Sequence, residues 1–202
     1  MFVQVIQGRT QRPHDLRDTL DDWAMNLAAG AEGWLGSTAG VTDDGRVVAL
    51  ARFESEEHAH RNSNRPEQGE WWSRAAELLE GDATFRDSSD VTVDVLGNPD
   101  EAGFVQVMQG RTSDPGRALE LMTTDATDWS AYRPDVIGSI TIGHGDGYYT
   151  TAIYFTSEAE AREGEQKEPP PELKQQMDEF EELSLGEPEF FDLKEPWLYW
   201  PR

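Results

Sequence analysis

The chain contains no cysteine, so disulfides, cysteine-ligated zinc and thiol nucleophiles are excluded by composition. Lysine is nearly absent too: it stands only at 167, 174 and 194, and arginine supplies the other basic side chains. No apolar run approaches the roughly 20 residues that a membrane-spanning helix requires. The opening segment Met-Phe-Val-Gln-Val-Ile-Gln-Gly-Arg lacks the basic and apolar regions of a secretory signal, and a cytoplasmic location is expected. Also missing are a glycine-rich phosphate loop, a nucleophile elbow, a paired-histidine metal motif and a nucleotide fingerprint. Any activity is therefore expected to run with no metal and no cofactor held by an encoded motif.

What is present is dominated by charge of one sign. Residues 1–101 carry nine basic and twenty acidic side chains and residues 102–202 carry eight and twenty, giving −11 and −12 of the total −23. The acidity thus belongs to both halves and not to a tail. Such a surface repels phosphate backbones and anionic lipids, which sets nucleic-acid and membrane-surface roles aside. The hydrophobic fraction of 37% is low, but seven Trp, five Tyr and eight Phe offset it, because each ring buries a large area. Two small cores suit this length and composition.

The halves are copies of each other. FVQVIQGRT at 2–10 recurs as FVQVMQGRT at 104–112, an offset of 102. The same offset pairs Gly36-Ser37 with Gly138-Ser139, Asp44-Gly45 with Asp146-Gly147, and Phe53 with Phe155. Near the end of each copy the offset becomes 105, pairing Gly81, Phe85 and Asp87 with Gly186, Phe190 and Asp192. Chance similarity does not keep register over so many anchors, and a duplicated unit follows.

Each copy reads as the same string of elements. FVQVIQG is a β-rich strand. After Pro13, Leu16, Leu20, Trp23 and Leu27 fall at helical spacing and form one apolar stripe. Strands are expected from Trp34 to Thr42 and from Arg46 to Glu54, turned by Asp44-Gly45, where glycine tolerates the positive φ of a tight hairpin. Ser55 and its counterpart Ser157 begin a second helical region, Ser157 with Glu160 in a capping-box pattern. Pro66 suits the first turn of a further helix. VTVDVL at 91–96 is expected to close the first unit, and the Pro196–Trp200 segment the second. The order β-α-β-β-α-β is a ferredoxin-like split βαβ arrangement. The expected fold class is α+β: two tandem ferredoxin-like units, over 1–101 and 102–202, whose antiparallel sheets pack as a pseudo-dimeric α/β barrel within one chain. Further homo-oligomerisation stays open.

With this element order, the VQV first strand and the segment FESEEHAHRNSNRPEQGEWW at 53–72, the chain resembles the antibiotic biosynthesis monooxygenase family of the dimeric α/β-barrel superfamily. The resemblance spans nearly the whole chain, twice. It implies a pocket between sheet and helices and cofactor-independent oxygenation of a small aromatic or quinol-type substrate. Haem degraders of that family use an Asn on the first strand, a Trp in the second helical region and a His beyond it. Here Gln7 stands on the first strand, and no histidine follows Trp71 and Trp72 in the first unit. The haem branch is therefore not implied.

Candidate residues concentrate in the first copy. His58, His60, Asn62, Asn64, Trp71 and Trp72 align with Glu160, Arg162, Gly164, Gln166, Leu173 and Lys174 in the second. His58 and Asn62 are four residues apart and share a helix face. His58 is the candidate proton acceptor, and Asn62 with Gln7 would orient a substrate hydroxyl. Trp23 and Trp71 would wall the pocket around an aromatic ligand. Each residue also has a purely structural reading: polar surface for His58 and Asn62, sheet hydrogen bonding for Gln7, plain core for the tryptophans. His60 points away from His58, so no paired metal site is expected. Asp125, standing where the first copy has Trp23, is either a buried carboxylate base or displaced by packing of Trp129. The competing reading for the whole chain is a non-catalytic ligand-binding or structural module.

Overall fold

A computed structural model describes residues 1–123 and 129–201. Asp125 and the side chain of Trp129 lie outside the described residues. In chain order the first copy supplies β1 (Phe2–Arg9), α1 (Pro13–Asn26), β2 (Trp34–Val41), β3 (Arg46–Phe53), α2 (Glu56–Ser63), α3 (Pro66–Ala76), β4 (Thr84–Ser88) and β5 (Val91–Val95). The second supplies β6 (Phe104–Arg111), α4 (Pro115–Thr123), α5 (Trp129–Tyr132), β7 (Val136–Gly143), β8 (Tyr148–Phe155), α6 (Glu158–Glu165), α7 (Pro171–Leu183), β9 (Glu189–Leu193) and β10 (Trp197–Tyr199). The described strands form two five-stranded sheets, ordered β10-β2-β3-β1-β4 and β5-β7-β8-β6-β9. Each contains the four-strand antiparallel order of a ferredoxin-like unit, and the α+β class read from the sequence is met.

The closing strands depart from expectation. The fourth strand of the first copy is β4, which runs antiparallel to β1 with Ile6 opposite Phe85. The segment expected to close that copy, β5, joins β7 in the other sheet, and β10 from the second copy joins β2 in the first. The repeats thus exchange their last strands. Accordingly, one compact unit comprises Met1–Val91 with Phe191–Arg202 and the other Thr92–Phe190. In the first unit Trp197 lies opposite Ala39 and Tyr199 opposite Ser37, and Trp197 enters a core cluster with Leu16, Ala39 and Val47.

Local signals explain the element ends. Gly45 has φ +82° and sits against the Thr10 carbonyl, where a Cβ would come within 2.8 Å of the oxygen. No other residue satisfies both demands at that turn. Ser55 caps α2 by accepting from the His58 amide at 3.3 Å, and Pro66 opens α3. In α6 the Ser157 hydroxyl accepts from the Glu160 amide at 3.2 Å, while Glu160 takes the Ser157 and Thr156 hydroxyls. Arg133, half-buried, and the buried Asp135 form a tight pair in the second unit, 2.6 Å apart, and Arg133 also donates to the Ala161 carbonyl.

Candidate functional site

A partly open cavity of about 310 Å³ lies within the first unit, between its sheet and its helices. Its floor is set by strand alternation, since every second residue of a strand points to one face. Two cross-strand rows result. Tyr199, Ser37, Ala51 and Gln4 form one, and Trp197, Ala39, Ala49, Ile6 and Phe85 the other. Ser37, Ala39, Ala49 and Ala51 are the small middle members of these rows, and the space above them is the cavity. Their counterparts in the second copy are Ser139, Thr141, Thr151 and Ile153, three of them larger.

Helices supply the walls. Trp23 from α1 and Trp71 and Trp72 from α3 line the cavity together with Trp34 from β2. Trp23 and Trp34 meet at 5.0 Å between ring centroids and 78° between planes, forming a corner. Trp71 stands 6.2 Å from Trp23 at 56°. Three indole N–H groups are already committed: Trp23 donates to Gln68 Oε1 at 2.6 Å, Trp34 to Ser37 Oγ at 3.0 Å and Trp71 to the Thr19 carbonyl at 2.8 Å. Buried Trp needs such a partner. Here the partners also lock the rings, which therefore offer carbon surface to the cavity.

The polar lining consists of Gln4, Ser37, Asn62, Ser63, Gln68 and Tyr199. Asn62 is buried, and its Oδ1 accepts from Arg65 Nη1 at 2.9 Å. Arg65 in turn binds the Leu27 carbonyl and Glu67. That orientation turns the Asn62 NH2 group away from Arg65 as a spare donor. Gln68 is arranged alike, with its oxygen spent on Trp23. Gln4 donates to Asp87 at 3.1 Å. The Tyr199 hydroxyl donates to Asp21 Oδ1 at 2.7 Å. Burial, with the Asp21 hydrogen bond and charge behind it, pushes the Tyr199 phenol above its ordinary value. Among the described residues that line the cavity none is an aspartate, glutamate, histidine, lysine or arginine.

Of the sequence candidates, Trp23, Trp71 and Asn62 are brought together around the cavity; His58 and Gln7 are not among its lining residues. Gln7 follows Ile6, so alternation sends it to the opposite face of the sheet. His58 is held at the start of α2, with Nδ1 2.8 Å from Ser55 Oγ and Nε2 3.8 Å from Glu54. Its ring lies over Gly33, where φ is +70° and a Cβ would collide with the imidazole. Trp34, Gln68 and Tyr199 were not anticipated. The run of small residues at 37, 39, 49 and 51, bulkier in the other copy, was the available signal. Among the described residues no cluster of histidine and acidic side chains could hold a metal.

No family model matches the chain, and no curated protein matches it in sequence. Solved structures match its fold. The putative monooxygenase of Fusobacterium nucleatum superposes with a TM-score of 0.77 at 8% identity, over 98% of this chain and 94% of that one. That of Lactobacillus acidophilus gives 0.72 at 10%, over 98% of both chains. An anthrone oxidase-like protein gives 0.65 at 11%, over 98% and 93%. At these identities the likeness is one of fold. It agrees with the antibiotic biosynthesis monooxygenase-like architecture read from the sequence.

Proposed function

We propose that the first unit binds a small planar aromatic molecule in its indole-walled cavity and oxygenates a quinol- or anthrone-type substrate without a cofactor. The observation that carries this reading is the cavity itself: large enough for such a ring system, walled by fixed aromatic rings, and offering a few polar groups at defined places. The fold shared with monooxygenase-like proteins supports the reaction class, and the anthrone oxidase-like neighbour the substrate type. In such a reaction a ring CH2 and O2 give C=O and water. The substrate loses its own proton to solvent, since no base is among the described residues that line the cavity. The amide NH2 groups of Asn62 and Gln68 would donate to the oxygen on which negative charge develops, which lowers the barrier because they are already oriented.

The test is oxygen consumption with anthrone as the probe. The protein should accelerate uptake over buffer, and Asn62→Leu should slow it about tenfold, the order expected for one lost donor to a developing oxyanion. Uptake no faster than in buffer would remove the enzymatic claim. The missing base favours a second reading, a non-catalytic binding module, and that result would select it provided anthrone still quenches the indole fluorescence.

A further inference from the structure

We propose that the ligand of this cavity carries a positive charge: an aromatic cation, such as an N-alkylated heteroaromatic ring, held by the indole faces. This rests on the reading above that the cavity is a site for aromatic molecules, and it names the charge of the ligand. Three independent features point to it.

The first is the wall geometry. Trp23 and Trp34 meet nearly at right angles and Trp71 stands tilted to Trp23, so the rings face the enclosed space from different directions. A cation within about 6 Å of such ring faces is attracted by their quadrupoles, most strongly for Trp. The second is what the lining omits. No cationic side chain is among the described residues that line the cavity, and the guanidinium that holds Asn62 from behind, Arg65, is itself paired with Glu67 at 3.1 Å. The third is the surrounding field. The first unit carries eleven basic and nineteen acidic side chains, a net −8. One of those carboxylates, Asp21, accepts from the hydroxyl of Tyr199, which enriches the electron density of a further lining ring. Together these features favour a cationic ring over an anionic one, and they leave the Asn62 and Gln68 NH2 groups to meet an oxygen substituent on that ring. A cationic ring also acidifies its own hydroxyl substituents, which fits a site with no base among its described lining residues.

The test compares N-methylquinolinium with its uncharged isostere 1-methylnaphthalene, both read by quenching of indole fluorescence in the full chain. The cation should bind about tenfold more tightly, and Trp23→Leu or Trp71→Leu should shrink that ratio. Ala49→Leu, which fills the cavity floor without removing a buried hydrogen bond, should abolish the quenching by both. Equal or tighter binding of 1-methylnaphthalene would overturn the charge assignment and leave the aromatic site standing. Failure of both probes to bind would overturn the site as well. Quenching by the cation that persists in Ala49→Leu would mark adsorption to the acidic surface and overturn the proposal too.

Discussion

The exchange of closing strands predicts that a residue near the end of the chain stabilises a unit built almost wholly from its beginning. Trp197 is the sharpest probe. Its side chain is 6% exposed and packs with Leu16, Ala39 and Val47, on a strand of three residues. Replacing a buried Trp by Ala costs about 3–5 kcal/mol, the lost burial plus the cavity left behind. For a unit of about a hundred residues, 1 kcal/mol corresponds to at least about 4 °C in Tm. Trp197→Ala should therefore lower the melting temperature of the first unit by about 12–20 °C. The signal to follow is near-ultraviolet circular dichroism, to which the clustered indoles at 23, 34 and 71 contribute. A drop below about 5 °C, with the dichroism unchanged, would mean that β10 is not a working part of that sheet and would refute the exchanged arrangement.

Three further outcomes are expected. Tyr199 has a phenol whose folded-state pKa is raised by burial and Asp21. Its contribution to stability is fully present below the unfolded value of about 10 and is lost as pH climbs above it. Urea midpoints should fall in that alkaline range, and Tyr199→Phe should flatten the decline. His58→Ala should change anthrone or N-methylquinolinium affinity by less than about twofold, because the ring is spent on Ser55, Glu54 and Gly33, and should cost about 1 kcal/mol through the lost hydrogen bond; a tenfold loss of affinity would return His58 to the site. With a net charge of −23, self-repulsion opposes the folded state. The melting temperature should therefore rise between low salt and about 1 M, where the Debye length has shrunk to about 3 Å. A flat response would show that the acidic side chains are far enough apart to be neutral for stability.

The regular elements were legible because their signals are local. The α1 stripe, the Asp44-Gly45 turn, the Ser55 cap and Pro66 each act within a few residues, and all appear where expected. The strand exchange was not legible, because β5 and β10 present short alternating patterns that fit the edge of either sheet equally well. Two copies of one pattern leave the choice of partner to geometry. β4 was missed because four of its five residues, Thr84 to Asp87, are exposed, so no apolar alternation marks it. At the cavity, Trp23 announced itself by helical spacing, and Trp71 by its place in the segment 53–72. Tyr199 could not, since 178 residues separate it from its partner Asp21. His58 was misplaced by the rule that residues four apart share a face. Helical side chains tilt toward the N-terminus, and in the first turn that tilt delivers the ring to Ser55 while Asn62, a turn later, reaches the cavity.

The division of the chain into 92–190 and a pair of outer segments sets an order for folding during synthesis. The second unit is one continuous stretch, so nearly all of it leaves the ribosome before the last strand does. The first unit has most of its sheet translated early but waits for β10, and Tyr199 with it, until synthesis has passed the whole of the other unit. Its cavity wall is therefore completed only after the whole of the other unit has been translated. For that interval β2 carries an unpaired edge, the kind of surface on which newly made chains associate with one another.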